Sequence, residues 1–253
     1  MTRSASTPTT DYLLVDISNS YTKLAFASAT RISAPVRIAT SKLSSSVVTG
    51  FLRKQRVRKV VVSSVVPRKN PAISKAIGKL EALWLDSTLK LGVGIDYPKP
   101  KSIGADRLAN AAAVTGLYGF PAIVVDFGTA VTFDIVSDRG TYIGGVIAPG
   151  LEAMTNFLYQ RTALLPKLSL KEPRRAIGKS TVEAMLSGAV FGYRGLVCEI
   201  LGRIRAEQFP RKKKVYVVAT GGYAQLIAGR LPEIGVIRPH LTLEGLRIVA
   251  NLN

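Results

Sequence analysis

The chain has 253 residues, 47% of them hydrophobic, with one cysteine and 35 Lys and Arg against 16 Asp and Glu, a formal net charge of +19 at pH 7. That length and apolar content can bury a sizeable core as one large domain or two compact lobes. The lone Cys198, flanked by Leu196 and Val197, excludes an internal disulfide framework and reads as an inert structural thiol in a reducing cytoplasm.

The charge raises nucleic acid as a partner, but the basic runs at 53 to 59, 171 to 179 and 210 to 214 are not interleaved with stacking aromatics. No helix-turn-helix, zinc-ligand or RNA-recognition signature accompanies them. They read as solvated surface loops whose field helps collect anionic substrates.

In chain order, MTRSASTPTT is polar and lacks an apolar h-region, so residues 1 to 11 read as a disordered tail, neither signal peptide nor membrane anchor. No apolar stretch reaches the ~18 to 20 residues that span a bilayer. Tyr12 to Ala27 reads as a hairpin, Arg31 to Ala39 as a third strand, Ser41 to Arg53 as a helix, and Lys59 to Val65 as a buried strand. Asn70 to Leu85 reads as a helix begun by Asn-Pro, and Ser102 to Tyr118 as a helix with an Ala-rich face. The order then recurs: strands at 122 to 126, 130 to 136 and 141 to 147, a helix from Leu151, and a long helix from Thr181 to about Ala206. A strand at Val215 to Val218, a helix after Gly221 and a helix over Leu243 to Ala250 complete the chain, with His240 read as structural.

Two aspartates carry the chemistry of this pattern. Ile123 to Val136 reads as a hairpin with Asp126 at its mouth, Gly128 opening the backbone, and the Thr129 and Thr132 hydroxyls adding donors, a setting for an oxygen-rich anion and a cation. Alone, Asp-x-Gly is more often a tight turn and nothing else. A second copy changes that reading: residues 14 to 22, LVDISNSYT, align without a gap on residues 124 to 132, VVDFGTAVT, at an offset of 110. The repeat predicts a duplicated domain, lobes 12–115 and 116–253, whose Asp-bearing turns face each other across a cleft.

With the DISNSYTK turn, SSVVP at 63 to 67, GADR at 104 to 107, DFGTAVT, GGVIAPG at 144 to 150, GKSTVEAMLSG at 178 to 188, ATGG at 219 to 222 and LTLEGL at 241 to 246, the chain resembles the type III pantothenate kinases, also called the Bvg accessory factor family. The resemblance implies an α/β fold of duplicated ribonuclease H-like lobes, that of the actin-like ATPases (ASKHA), with a cleft between them. It implies a homodimeric cytoplasmic kinase that phosphorylates pantothenate with ATP, needing Mg²⁺ and a monovalent cation, K⁺ or NH₄⁺.

Residue by residue, the resemblance makes Asp16, Ile17, Ser18, Asn19, Ser20, Tyr21, Thr22 and Lys23 the phosphate loop, with Asp16 reaching Mg²⁺ through the phosphates. Thr129 becomes an ATP contact, Thr220, Gly221 and Gly222 the adenosine turn, and Asp126 the monovalent-cation ligand. Asp106 becomes the catalytic base, and Tyr97, Gly104, Ala105, Asp106, Arg107 and Thr181 hold pantothenate. Free amides at the start of the 102 to 118 helix, with Arg107, suit a carboxylate or a transferring phosphoryl group. Ser18 stands where the family usually has Gly, an expected cost to ATP binding of about 1 kcal/mol if the position needs positive φ. The readings of another class are a non-catalytic regulator or a nucleic-acid-binding descendant of the fold, and, among enzymes, a kinase for another small alcohol.

Overall fold

The structure is a computed structural model that describes residues 11–211 and 214–253. The expected tail over 1–11 lies outside those residues except for Asp11, as do Lys212 and Lys213 of the third basic run. The chain divides into two compact units, Met1–Leu117 with Leu241–Asn253, and Tyr118–His240. The closing helix, read from sequence as part of the second lobe, is thus grouped with the first.

The first unit is built on β1 (Tyr12–Ile17), β2 (Tyr21–Ala27), β3 (Val36–Ala39), β4 (Lys59–Ser64) and β5 (Glu81–Trp84), in the spatial order β3-β2-β1-β4-β5. β1 pairs antiparallel with β2 and parallel with β4, and β5 runs parallel to β4. Buried on both faces, β1 and β4 are built around the apolar runs Leu13–Val15 and Val60–Val62, as central parallel strands require. Leu13, Val15, Ile17, Val60 and Val62 meet α1 (Ser45–Leu52) and α2 (Asn70–Ile77) through Val48, Phe51, Ile73 and Ile77.

Two helices are shorter than the sequence reading. α1 starts only after Ser44, whose hydroxyl accepts from the Val47 amide, residues 40 to 42 being a 3-10 turn. α2 stops at Gly78, at φ 58, a conformation that ends helices; the remainder of the expected helix becomes β5, tied to β4 by a 2.9 Å Lys59–Glu81 ion pair. The two-residue β6 (Gly94–Ile95) precedes α3 (Ala105–Tyr118), whose buried Ala105, Ala109, Ala112 and Ala113 permit close helix packing. α7 (Leu241–Leu252) uses that closeness: a Cβ on Gly245 would stand 2.0 Å from the Ala109 carbonyl oxygen, and the buried Thr242 hydroxyl donates to Asn110 Oδ1 at 3.0 Å. α7 packs on β1 and β4, the physical reason it belongs to the first unit.

The second unit repeats the plan. β7 (Ala122–Phe127), β8 (Ala130–Val136), β9 (Thr141–Pro149), β10 (Tyr216–Thr220) and β11 (Val236–Ile237) lie in the order β9-β8-β7-β10-β11, with the same sequence of antiparallel and parallel pairings as β3-β2-β1-β4-β5. α4 (Leu151–Arg161), α5 (Thr181–Gln208) and α6 (Ala224–Ala228) complete it. One face of the sheet, Ile123, Val125, Phe127, Val217 and Ala219, packs against Val190, Tyr193, Val197 and Leu201 of α5. Contrary to the sequence reading, α5 is long and apolar enough by length and composition to cross a membrane. Its apolar stripe is the one that fills this core.

The gapless repeat needs one correction. Asp16 stands opposite Lys23, whereas Asp126 stands opposite Thr132. β2 therefore matches β8 at an offset of 109, not 110, because the first turn holds Ser18, Asn19 and Ser20 and the second only Gly128 and Thr129. Burial agrees with this pairing: Thr22 and Val131 are buried, Lys23 and Thr132 half-buried, and the four residues after each of these are buried. Read gaplessly, Thr22 would match Thr132, but a one-residue slip puts them on opposite faces.

Candidate active site

In the first unit the Asp16 turn is braced from beneath. Thr40 Oγ1 donates to the Ser18 carbonyl at 2.7 Å, the Thr40 amide donates to the Ser20 carbonyl at 3.0 Å, and Thr22 Oγ1 lies 3.0 Å from Thr40 Oγ1. Since Thr40 gives its proton to Ser18, the Thr22 hydroxyl donates to Thr40. Thr22 and Ile17 are fully buried, so they shape the turn from inside; Asn19, Ser20 and Tyr21 are exposed. Tyr21 stacks under Arg37, whose guanidinium carbon is 3.4 Å from the ring centroid. Asp16 is 2% exposed, and its Oδ1 accepts from the Ser18 hydroxyl at 3.3 Å.

The expected cost of Ser18 is not incurred. Among the described residues no non-glycine has positive φ, so serine sits here without backbone strain. Gly128 in the second turn is not in that region either, and a Cβ there would meet Ala130 O at 3.5 Å and Asp126 Oδ1 at 3.7 Å, ordinary contacts.

Asp106 lies in the first turn of α3, where a carboxylate complements the free amides and the helix dipole, and its Oδ1 accepts from the Arg107 amide at 2.8 Å. Gly104 leaves room for that carboxylate, since a Cβ there would be 2.6 Å from Asp106 Oδ1. Asp106 and Arg107 are half-buried, Ala105 is buried, and Tyr97 lies half-buried in the loop that follows β6.

In the second unit, Asp126, the 128–129 turn and the 220–222 turn come together. Thr220 stands in register with Asp126, and the Tyr223 amide donates to the Phe127 carbonyl at 3.3 Å. Gly221 is at φ 94, and a Cβ there would lie 2.6 Å from Asp126 Oδ1 and from the Phe127 backbone, so only glycine fits. Gly222 and Thr129 are exposed.

Sequence reasoning assigned no role to Gly150. A Cβ on this residue would meet Thr129 O at 2.2 Å and Gly128 O at 2.8 Å. Its absence lets the start of α4 sit directly against the turn, and no side chain caps that helix, so the first-turn amides suit an anion such as a phosphate. Tyr193 holds the approach by donating to the Pro149 carbonyl at 3.0 Å; burial pushes its phenol up to about 12, with the Leu151 backbone pulling the other way. Tyr223 Oη donates to Glu152 Oε2 at 3.0 Å, tying the 220–223 turn to α4. The chemically suggestive neighbours of Gly150 in sequence are apolar, and only the fold reveals the contact.

Thr181 is exposed at the first position of α5. The GKS preceding it builds a helix start: Ser180 Oγ accepts from the Glu183 amide at 3.2 Å, Glu183 Oε2 accepts from the Lys179 amide at 2.8 Å, and a Cβ on Gly178 would fall 2.2 Å from the Ala184 nitrogen. Cys198 is partly buried, its thiol pushed up by burial and then by Glu233, as an inert cysteine would be.

Duplicated sheets of this order, each with an aspartate at the end of its first strand, define a fold shared with phosphotransferases. A Baf family protein from Campylobacter jejuni, described as a transcriptional activator, superposes with a TM-score of 0.58 at 18% identity over 94% of this chain and 97% of that one. An Arthrobacter inorganic polyphosphate/ATP-glucomannokinase gives 0.50 at 13% identity over 96% and 100%. These likenesses show the actin-like ATPase fold. The family model for type III pantothenate kinase matches residues 12–203, and a type III pantothenate kinase of Akkermansia muciniphila is 50% identical over 96% of this chain and 99% of that relative. The chain belongs to the type III pantothenate kinase family.

Proposed function

We propose that the chain transfers the γ-phosphoryl group of ATP to the primary hydroxyl of pantothenate, giving 4′-phosphopantothenate, the opening step of coenzyme A synthesis. Family membership at 50% identity across nearly the whole chain carries this reading. Asp106 is the base that takes the hydroxyl proton, and the Arg107 guanidinium faces negative charge on the substrate or the transferring group. Tyr97, Gly104, Ala105 and Thr181 bind pantothenate. In the first unit the turn from Asp16 to Lys23 binds ATP phosphates; in the second, Thr129 is an ATP contact and the 220–222 turn binds adenosine. Asp106, Arg107 and Asp126 together favour an enzyme over a non-catalytic descendant of the fold.

An ATP-using kinase requires a divalent metal, and Mg²⁺ supplies charge neutralisation of the phosphates. Asp16, a single carboxylate beside exposed turn residues, fits an ion that keeps most of its waters and its phosphate oxygens. Asp126 holds a monovalent cation, K⁺ or NH₄⁺. The enzyme acts as a cytoplasmic homodimer, a reading supported by the exposed apolar residues Met154, Phe157, Leu158 and Tyr159 on α4 and Val182 and Phe191 on α5.

The test is a coupled ADP-release assay. Pantothenate-dependent release is expected, and Asp106→Asn should keep ATP binding while lowering turnover on the order of 10² or more. Turnover near that of the wild type would remove Asp106 from its role.

A further inference from the structure

Strand alternation sorts the side chains of β2 and β3 onto two faces of the first sheet. Leu24 and Ile38 belong to the face packed under α1 and α2. Tyr21, Lys23 and Arg37 have the opposite parity and share the face of Asp16, since Asp16 stands opposite Lys23 and Lys23 opposite Arg37. With Ser63 opposite Asp16 on β4, one row runs Arg37–Lys23–Asp16–Ser63 across the face turned away from α1 and α2. The proposed phosphate turn includes Lys23 but not Arg37, which lies on the edge strand β3.

The guanidinium carbon of Arg37 stands 3.4 Å from the Tyr21 ring centroid. Tyr21 is the first residue of β2 and Lys23 the third, so this stack draws the guanidinium away from its own register position and towards the turn at Ser18 to Ser20. Stacking occupies the flat face of the guanidinium and leaves the N–H donors of its edge free for an oxyanion. Among the described residues Arg37 has no hydrogen-bond or ion-pair partner, and no acidic residue occurs between Asp16 and Glu81. The second unit shows what the arginine adds. Its corresponding row is Ile147–Thr132–Asp126–Thr220, with the exposed Ile147 where the first unit has Arg37. Two units that match strand for strand thus differ in charge: the first row sets two cations against one carboxylate, and the second has no cation. The charge that suits a triphosphate is in the first.

We propose that Arg37 is a further phosphate-binding residue of the kinase reaction, its guanidinium held by the Tyr21 ring so that its edge meets the ATP phosphates beside Lys23. This rests on the reading of the 16–23 turn as the phosphate site and adds to it a residue from outside the turn and a use for the Tyr21 ring. Arg37 touches the substrate, and Tyr21 positions Arg37.

The experiment is calorimetric titration of the full chain with ATP and Mg²⁺, and separately with adenosine, which carries no phosphate. Arg37→Gln should weaken ATP on the order of tenfold or more and leave adenosine within about twofold, because a charge-assisted hydrogen bond to phosphate is lost. Arg37 is exposed, so this variant should fold, and its melting temperature checks that it does. Arg37→Lys keeps the charge without the fork and should recover only part of the loss. Tyr21→Leu should weaken ATP less than Arg37→Gln does, and Tyr21→Phe, which keeps the ring, should bind ATP more tightly than Tyr21→Leu. In the double variant the leucine should add little to the effect of Arg37→Gln, since the ring acts through the arginine. Unchanged ATP affinity in Arg37→Gln, or an equal loss for ATP and adenosine, overturns the proposal. Lys23→Gln separates the two readings. If it weakens ATP while Arg37→Gln does not, the phosphate turn stands and Arg37 falls; if neither variant weakens ATP, the phosphate turn itself is misplaced and the proposal falls with it.

Discussion

The two aspartate turns answer one structural problem in two ways. Both follow a buried strand, both leave their aspartate at the penultimate position of that strand, and both make a short connection to the next strand. The first turn is held by side chains: Thr40, the residue after β3, ties down the Ser18 carbonyl and receives the Thr22 hydroxyl. The second is held by missing side chains. Gly150, the residue after β9, and Gly221 let backbone press on backbone around Gly128 and Asp126. A hydroxyl brace can be weakened by degrees, whereas a packing in which even an added Cβ would fall 2.2 to 2.6 Å from its neighbours has no smaller version.

That contrast predicts where the chain is brittle. Gly221→Ala should be the most damaging of the substitutions considered for the turns, because the new methyl meets Asp126 and the Phe127 backbone at a positive φ; roughly 3 kcal/mol or more of stability should be lost, read by urea unfolding. A loss below about 1 kcal/mol would show that the second turn can yield, and the contrast would fail. Thr40→Val in the first unit should cost less, about 1 to 3 kcal/mol, since it leaves the buried Thr22 hydroxyl and the Ser18 carbonyl short of a partner. Its activity signature should be a raised KM for ATP with the KM for pantothenate nearly unchanged. Equal rises in both would place the brace elsewhere than under the phosphate turn.

The sequence made the duplicated plan legible because the signal is local: β-branched runs such as Ile123 to Val125 and Val60 to Val62, each closing on a polar turn, mark the central strands directly. It misjudged the register because a one-residue difference in turn length leaves no trace in a nine-residue alignment rich in Val and Thr. The helix over 70 to 85 was overextended because Gly78 interrupts it with a torsion that periodicity does not encode. Asp106 and Asp126 were legible as carboxylates beside glycines. The work of Gly150 and Gly178 was not, since it depends on which distant backbone arrives at each glycine.

A smaller effect tests how the rest of the second unit is fastened. Arg194 on α5, with only 11% of its side chain exposed, reaches both oxygens of Glu172 at 3.0 and 2.6 Å, and its guanidinium also donates to the Leu226 and Ile227 carbonyls. Its hydrogen bond holds the Glu172 carboxyl below the ordinary value of 4.5. A carboxyl depressed in the folded state contributes stability above its unfolded value, and the contribution fades as pH falls through the folded value. Glu172→Gln should therefore cost stability at neutral pH, less than about 1 kcal/mol because the glutamate is largely solvated, and the gap to the wild type should close below pH 4.5. A gap that persists at lower pH would mean the glutamate acts through packing and not through charge.

The smallest effects should come from exchanging the residues by which the two turns differ most plainly in sequence, Ser18 and Gly128. Neither position requires positive φ, so Ser18→Gly relieves no strain. It removes the 3.3 Å hydrogen bond to Asp16 and loosens the unfolded chain, for a loss of about 0.5 to 1 kcal/mol. The KM for ATP should stay within about twofold of the wild type, since the Ser18 carbonyl stays on Thr40. Gly128→Ser should be tolerated equally well: its Cβ meets only ordinary contacts, and its hydroxyl would lie beside Asp126 as Ser18 lies beside Asp16. A marked fall in the KM for ATP in Ser18→Gly, or collapse of Gly128→Ser, would show that the identity of the turn residue governs the phosphate site. The expected outcome, two near-neutral exchanges beside a costly Gly221→Ala, places that control in the residues packed around the turns.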